Sequence, residues 1–257
     1  MKAMNSMRRD WDERARKDAF LYIASWRDNW NEESFFASGE ADYRGLVEPV
    51  VARLGFTPGE RAMAELGCGA GRMTRAFARR FRSVTAIDIS EEMQARAKSY
   101  LKDFSNVRWV LTEGVSLAGV EDGSMDFVFS YLVLQHYPSA ELVTGSIQEM
   151  MRILRPRGAF LFQFNGSQKA NMNWKGRFVS AALDGLCSVG LKSFAQSCAR
   201  VAGIDPEMIG STWRGVALRS EEVDTMVRSA GGLPAGLQGA DSPLAWCFGH
   251  KAAQEQS

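Results

Sequence analysis

Residues 64–77 read AELGCGAGRMTRAF and place three glycines, Gly67, Gly69 and Gly71, between an apolar run and a segment with helical periodicity. Glycine combines free choice of φ with the lack of a Cβ, so such a loop lets a ligand approach the main chain closely. If the loop opens a helix, the free amides of the helix N-terminus also face that ligand. The stretch therefore predicts a ligand site at a strand-to-helix turn.

Strand-like and helix-like segments alternate through residues 61–165. The strand-like segments are RAMAEL, SVTAIDI, NVRWVL, MDFVFSYL and GAFLFQF, and the helix-like ones include TRAFARRF, SEEMQARAKSYL and SAELVTGSIQEMMRIL. This alternation is typical of an α/β fold with a doubly wound, mostly parallel sheet and helices on both faces. Such sheets bind ligands at the carboxyl ends of their strands, which is where the glycine loop falls.

The segments outside this core are expected to extend one domain over residues 1–257. Residues 1–55 predict an N-terminal helical cover, and residues 60–165 form the core. Residues 166–219 predict a helical insertion after the fifth strand, and residues 220–257 a closing helix and strands. The sequence contains no internal repeat and no Pro/Ser-rich linker that would divide these parts.

Composition narrows the choice of partners. The 31 Lys and Arg residues against 30 Asp and Glu residues give a net charge of +1, so no overall field attracts nucleic acid or an anionic membrane. The four cysteines lack the CxxC spacing of a zinc site, and no run approaches the roughly 18 apolar residues of a membrane span. We expect a cytoplasmic monomer or homodimer with no metal, no membrane contact and no nucleic-acid partner.

Glycine spacing and two acids separate two classes of ligand. The loop reads G-x-G-x-G, whereas the dinucleotide fingerprint is G-x-G-x-x-G. Asp88 ends the second strand about 20 residues after the loop, where a carboxylate can accept hydrogen bonds from both ribose hydroxyls. Glu65 precedes the loop, and its charge suits a cation but repels a diphosphate. A nicotinamide dinucleotide is therefore the second choice.

Five ordered segments make this sequence resemble the class I S-adenosylmethionine-dependent methyltransferases. They are ELGCGAGRMT, VTAIDIS, VRWVLTEGV, MDFVFSYLVLQHYP and EMMRILRPRGAFLF, and they cover about residues 60–165. The resemblance implies a Rossmann-like fold, with S-adenosyl-L-methionine as cofactor and S-adenosyl-L-homocysteine as product. The implied function is in-line transfer of a methyl group to oxygen, sulfur or nitrogen of a small-molecule metabolite.

The same resemblance assigns cofactor contacts to particular positions. Glu65 is expected near the ammonium group, the loop Gly67–Gly71 near methionine and ribose, and Asp88 on the ribose. After the third strand, Glu113-Gly114 takes the place of the family's acid-small pair at the adenine edge, with glutamate instead of the commoner aspartate. The further expected contacts are Cys68, Gly69, Gly71, Ile89, Met93, Val115, Ser130, Tyr131, Leu132 and Arg44.

The acceptor pocket is expected in the segments that depart from the shared core. The candidates there are Tyr22, Trp26, Trp30, Phe35, Asn165, Trp174 and Trp213. An aromatic lid would exclude water and suit a small, partly apolar substrate. The same aromatics could instead only join the extra helices to the sheet.

The catalytic candidates are Tyr131, at the end of the predicted fourth strand, and His136, in the turn that follows it. Methyl transfer from a sulfonium needs alignment more than acid catalysis. Oxygen and sulfur acceptors need their anion most, so with them His136 or an arginine would matter. His136 could otherwise simply hold the loop or the cofactor.

Other functions stay open on the sequence alone. A nucleic-acid methyltransferase would carry a basic patch, which could be formed by Arg72, Arg75, Arg79, Arg80 and Arg82. A solvated helix face explains these arginines better. A protein substrate leaves no positive trace in the sequence. A non-catalytic S-adenosylmethionine-binding regulatory protein and a nicotinamide-dependent oxidoreductase are the remaining alternatives.

Overall fold

A computed structural model describes residues 2–166, 179, 182–187, 189–210, 212, 213 and 215–253. The strands are β1 (Gly59–Leu66), β2 (Phe81–Asp88), β3 (Val107–Leu111), β4 (Met125–Ser130), β5 (Leu154–Phe164), β6 (Gly232–Gln238) and β7 (Ala245–Lys251). They form one sheet in the order β3-β2-β1-β4-β5-β7-β6, in which β1 to β5 are parallel and β7 is antiparallel to both neighbours. The predicted doubly wound, mostly parallel sheet is confirmed.

Helices cover both faces of this sheet. They are α1 (Lys2–Ile23), α2 (Glu32–Asp42), α3 (Glu48–Arg53), α4 (Thr74–Ala78), α5 (Glu91–Tyr100), α6 (Ala140–Ile153), α7 (Lys192–Val201) and α8 (Ser220–Ser229), with a π-helical turn at Tyr43–Val47 and a 3-10 turn at Leu134–His136. Separate apolar clusters lie on the two faces, one containing Ile147 and Phe160 and the other Phe77 and Phe129. Every residue of β4 is buried, as expected for a central parallel strand.

The register of the central strands positions the site. Leu66 of β1 pairs with Ile87 of β2 on one side and with Ser130 of β4 on the other. The residues that follow these three positions therefore leave the sheet at the same edge, although they are distant in sequence. Gly67, Asp88 and Tyr131 are those residues.

The N-terminal cover is anchored to the helix that follows β2. The Ser90 hydroxyl donates a hydrogen bond to Asp12 Oδ1 over 2.6 Å, and Arg16 forms a 2.8 Å ion pair with Glu92. Helix α1 contains a non-helical residue at Asp18, with φ −164° and ψ 93°. These contacts hold the predicted helical cover against the core.

Candidate functional site

A cavity of about 1080 Å³, including its open mouth, lies at the carboxyl ends of β1, β2 and β4. One wall comes from the strand ends and the glycine loop, and the other from α1, the turn after β4 and Trp213. We call the first the loop wall and the second the aromatic wall. Ligands of open α/β sheets bind at this position.

The glycine loop adopts a conformation that favours glycine. Gly67, Gly69 and Gly71 have φ values of +77°, +52° and +86°. A Cβ on Gly67 would lie 2.0 Å from Val133 Cγ2, so a side chain there would clash with the turn after β4. The loop therefore brings its main chain to the cavity, and Gly67 and Gly69 line it.

Asp88 is buried at the cavity and fixes the loop. Its Oδ2 accepts a 2.7 Å hydrogen bond from the Gly69 amide, and its Oδ1 accepts a 2.8 Å bond from the Ser90 amide. Burial raises the pKa of this carboxyl, while the amide bonds favour its charged form. Each carboxylate oxygen has a second lone pair, so Asp88 can hold both the loop and a ligand hydroxyl.

Glu65 is a buried carboxyl whose charge is only partly compensated. The Thr74 hydroxyl donates to Glu65 Oε2 over 2.6 Å. Burial raises the pKa of Glu65 to about 8, although Thr74 and the positive charge of Arg72 oppose this effect. A cationic ligand group beside Glu65 would favour the ionised form. The position suits an ammonium group.

Arg72 lines the same cavity and is only 2% exposed. Its Nη1 forms a 2.6 Å ion pair with Asp42, and its guanidinium lies 5.1 Å from the Trp26 ring centroid and 5.5 Å from that of Tyr131. Its buried Nε has no hydrogen-bond partner among the described residues. The solvated helix face expected for this arginine is therefore wrong, and Arg72 instead places a buried positive charge at the cavity. Its place directly after Gly71 is the sequence signal that could have indicated this.

Most residues predicted to bind the cofactor line the cavity, and some do not. The lining includes Glu65, Gly67, Cys68, Gly69, Asp88, Ile89, Met93, Gly114, Tyr131 and Leu132. Cys68 is buried, which raises the pKa of its thiol well above the usual value and leaves the thiol unreactive.

Five predicted contacts lie away from the cavity for identifiable reasons. Arg44 points to solvent on the π-helical turn and pairs with Glu40 over 3.2 Å, so it does not reach the site. Glu113 is exposed, and Val115 packs on the core. The Ser130 hydroxyl donates to the Leu66 carbonyl inside the sheet, and a Cβ on Gly71 would face Leu101 of the α5 side.

Some of the residues predicted to bind the acceptor line the cavity, and others do not. Tyr22, Trp26 and Trp213 line the cavity. Trp30 instead donates its indole N–H to the Ala24 carbonyl over 2.8 Å, and Phe35 stacks on Phe20 with ring centroids 4.0 Å apart. Both join the N-terminal helices to each other. Asn165 is not part of the lining, and its main-chain carbonyl accepts a hydrogen bond from the Leu218 amide. Trp174 lies outside the described residues.

Helix α1 supplies lining residues that were not predicted as pocket residues. Met4, Met7 and Trp11 all face the cavity. The Trp11 ring stands edge-on to the His136 ring, with centroids 5.0 Å apart. The sequence predicted a helical cover over residues 1–55, but it did not show that a face of α1 lies over the strand ends.

A directed chain of hydrogen bonds ends at His136. The Leu132 amide donates to Gln163 Oε1 over 3.1 Å, and Gln163 Nε2 donates to Gln135 Oε1 over 3.1 Å. Gln135 Nε2 then contacts His136 Nε2 at 3.2 Å, and His136 Nδ1 lies 2.7 Å from the Trp213 carbonyl. Because a main-chain amide only donates and a carbonyl only accepts, the network assigns the proton to Nδ1 and leaves Nε2 to accept from Gln135.

His136 is consequently a neutral bridge between two parts of the chain. Burial lowers its pKa to about 4, against a raising effect of the bond to the Trp213 carbonyl. The segment beyond Trp213 adds two main-chain bonds, from the Gly215 amide to the Gln135 carbonyl and from the Val216 amide to the Tyr137 carbonyl. These bonds fix Trp213 over the cavity.

Comparisons of sequence relate part of this chain to known methyltransferases. Residues 64–162 match a family model described as a methyltransferase domain. The chain is 34% identical over 105 residues to a demethylmenaquinone methyltransferase of Tropheryma whipplei, covering 41% of each chain. It is 32% identical over 126 residues to a ubiquinone biosynthesis O-methyltransferase of Xanthomonas campestris, covering 48% of this chain and 51% of that one. The chain thus spans about half, or less, of the length of these relatives.

Solved structures share the fold over nearly the whole chain. The magnesium protoporphyrin IX methyltransferase of Synechocystis, solved with S-adenosylhomocysteine, has a TM-score of 0.60 at 17% identity and covers 97% of this chain and 100% of its own. The N-methyltransferase NodS of Bradyrhizobium japonicum has a TM-score of 0.56 at 16% identity, covering 95% and 98%. At such identities the likeness concerns the fold.

The described residues offer neither a metal site nor a membrane-spanning helix. No cluster of three or more His, Cys, Asp or Glu side chains is arranged there to hold a metal ion. None of the helices in that part of the chain is long and apolar enough to cross a membrane.

Proposed function

Because residues 64–162 belong to the methyltransferase domain family and the chain has the class I methyltransferase fold, we propose that it is an S-adenosylmethionine-dependent methyltransferase acting on a small molecule. One observation carries the proposal: the loop wall presents a buried carboxyl, Glu65, and an arginine with an unpartnered Nε, Arg72, in one cavity. These two groups match the ammonium and carboxylate of an amino acid. Asp88 adds an acceptor for a diol.

The loop wall fits this donor better than a dinucleotide. Glu65 would hold the donor's ammonium, Arg72 its carboxylate, and Asp88 its ribose hydroxyls. A diphosphate beside Glu65 would keep this buried carboxyl protonated, whereas an ammonium group would let it ionise and form an ion pair. The bound donor supplies a methyl group on a positively charged sulfur, which is already activated for transfer.

The chain's own task is then to align the acceptor and exclude water. Trp11, Trp26 and Trp213 enclose the cavity above the strand ends. The neutral His136 fixes Trp213 through its Nδ1–H, which supports the interpretation in which this histidine holds the wall. Alignment in a water-poor site supplies most of the rate in a displacement of this kind.

Small-molecule acceptors of curated relatives support the acceptor class. The names of those relatives specify methylation of a demethylmenaquinone and O-methylation in ubiquinone biosynthesis. The aromatic wall of this chain suits a partly apolar acceptor. We infer a partly apolar small-molecule acceptor for the present chain.

The direct test is release of S-adenosylhomocysteine from S-adenosylmethionine across a panel of phenols, thiols, carboxylic acids and amines. We expect release with one acceptor class and none with oligonucleotides. Donor binding without release on any acceptor would instead favour the non-catalytic binding protein. Tight binding of a reduced nicotinamide without binding of S-adenosylhomocysteine would contradict the proposal.

A further inference from the structure

Arg14 lies directly behind the aromatic wall. It is only 1% exposed, and its guanidinium carbon is 4.8 Å from the Trp11 ring centroid and 5.1 Å from that of Trp213. Both rings line the cavity. These distances are those of cation–π contacts, so one positive charge is held between two lining tryptophans.

The hydrogen bonds of Arg14 go to neutral groups. Its Nε and Nη2 donate to the Glu207 carbonyl over 3.0 and 2.8 Å, and its Nη1 donates to the Thr212 carbonyl over 3.3 Å. A fourth contact joins Nη2 to the Thr212 hydroxyl at 3.4 Å. Within the described residues no carboxylate oxygen lies at ion-pair distance from this guanidinium.

The charged groups around Arg14 are engaged with other partners. Asp10 and Glu13 contact the Lys192 ammonium at 2.5 and 3.4 Å. The Glu207 carboxylate accepts from the Gln196 amide at 3.4 Å. Asp205 accepts from Lys17 and from the Tyr22 hydroxyl, at 3.0 and 2.8 Å. Asp10 also accepts a 2.5 Å hydrogen bond from the Thr212 hydroxyl that contacts Arg14, so acids offset the Arg14 charge through this hydroxyl and at a distance, without a direct ion pair.

The positive charge of Arg14 lies next to three residues of the cavity lining, Trp11, His136 and Trp213. His136 lines the cavity with its ring centroid 5.3 Å from that of Trp213. Burial is the main cause of its lowered pKa, and the charge of Arg14 lowers that pKa further. At the other end of the cavity, Arg72 lies under Trp26 and Tyr131. Two buried guanidinium groups thus support four lining aromatic rings.

From this arrangement, and resting on the proposed function, we propose that the acceptor is a phenol bound as its phenolate against the Trp11–Trp213 wall. The flat apolar rings suit an aromatic acceptor, and the guanidinium behind them stabilises an oxyanion. A protonated amine on the cavity side of these rings would be repelled by the positive charge of Arg14 behind them. Arg14 is then a specificity-determining residue, acting through Trp11 and Trp213.

The atoms and charges of the transfer balance without a further reagent. The phenolic proton leaves to solvent when the acceptor binds. An oxygen electron pair forms the new C–O bond, and the pair of the broken S–CH3 bond returns to sulfur. The products are a neutral aryl methyl ether and a neutral thioether.

The test measures the ionisation of a bound probe. 4-Nitrophenol is bound to the complex of the protein with S-adenosylhomocysteine, and its phenolate absorbance is measured as a function of pH. 4-Nitroanisole serves as the neutral competitor. We expect the phenolate to bind at least tenfold more tightly than the neutral phenol, so that the apparent pKa of the bound probe falls by a unit or more.

Variants distinguish the effect of the Arg14 charge from that of its hydrogen bonds. Arg14→Gln should abolish the tenfold preference, Arg14→Lys should retain most of it, and Arg16→Gln, a change at an exposed arginine on the same helix, should leave it intact. Circular dichroism and S-adenosylhomocysteine titration verify the fold of each variant.

Several outcomes would overturn the proposal. They are no saturable probe binding, equal binding of phenol and phenolate by the wild type, or an unchanged preference in Arg14→Gln. If S-adenosylhomocysteine binds and the probe shows no preference, this inference alone fails. If S-adenosylhomocysteine itself does not bind, the proposed function fails as well.

Discussion

The two walls of the cavity differ in how far apart in sequence their residues lie. The loop wall is assembled from one strand, loop and helix start, residues 65–72, and from Asp88 at the end of the neighbouring strand. The aromatic wall joins Trp11, His136 and Trp213, and the contact between His136 and Trp213 spans 77 residues of sequence. The spacing of residues along the sequence therefore predicts the loop wall, whereas the aromatic wall depends on tertiary packing.

Replacing Asp88 by Ala should have the largest effect, because it damages the loop wall twice. The change removes the acceptors of two buried amides, those of Gly69 and Ser90, and a proposed ribose contact. Since charge-assisted hydrogen bonds contribute about 1.5–3 kcal/mol, calorimetry should show affinity for S-adenosylhomocysteine reduced about tenfold to a hundredfold. Asp103→Ala, at an exposed acid, is the control. Unchanged affinity in Asp88→Ala would remove the ribose assignment.

Glu65 should make stability depend on pH. Its folded pKa of about 8 lies above the ordinary 4.5, so the folded protein binds more protons than the unfolded chain between these values. Stability then falls as pH rises through this window, and Glu65 should contribute a loss of about 2–3 kcal/mol between roughly pH 6 and pH 9. Urea unfolding of wild type and Glu65→Gln at both pH values measures the contribution.

In Glu65→Gln this part of the pH dependence should vanish, and the affinity for S-adenosylhomocysteine should fall at the higher pH. If wild type and variant lose stability in parallel, Glu65 is not the buried acid responsible. If the variant binds as tightly as wild type at high pH, the ammonium contact is absent.

Replacing His136 should affect the aromatic wall and spare the loop wall. Loss of the bond to the Trp213 carbonyl should reduce stability by about 1 kcal/mol and reduce acceptor turnover. Affinity for S-adenosylhomocysteine should stay within about twofold, because a tenfold change would need about 1.4 kcal/mol. His136→Asn should perform better than His136→Ala, since an amide can still donate to the carbonyl. A large loss of cofactor affinity would place His136 beside the cofactor.

Arg44→Ala should have the smallest effect of all. Its pair with Glu40 lies at the surface, with the Arg44 side chain 66% exposed, and such pairs contribute about 0–1 kcal/mol. Both S-adenosylhomocysteine affinity and melting temperature should match the wild type in a parallel titration and thermal scan. A clear loss of affinity would mean that Arg44 reaches the site after all.

The sequence predicted the strands and the loop wall because each depends on local pattern. Closely spaced glycines, an acid at the end of β2 and short apolar runs can all be read directly from the sequence. The prediction for Arg72 was wrong because a run of arginines in the sequence does not show which side chains cover each of them. Here the rings of Trp26 and Tyr131 lie against the Arg72 guanidinium. Trp30 and Phe35 were assigned to the pocket, but they pack with other N-terminal residues, which composition cannot distinguish from lining a cavity.

The most direct test of the central claim is a calorimetric titration of the wild-type protein with S-adenosylhomocysteine, alongside a titration with reduced nicotinamide adenine dinucleotide. A loop wall built for an amino acid and a ribose predicts saturable binding of the first compound and no binding of the second. Binding of the dinucleotide, with none of S-adenosylhomocysteine, would contradict the assignment of Glu65, Arg72 and Asp88 and with it the proposed methyl transfer.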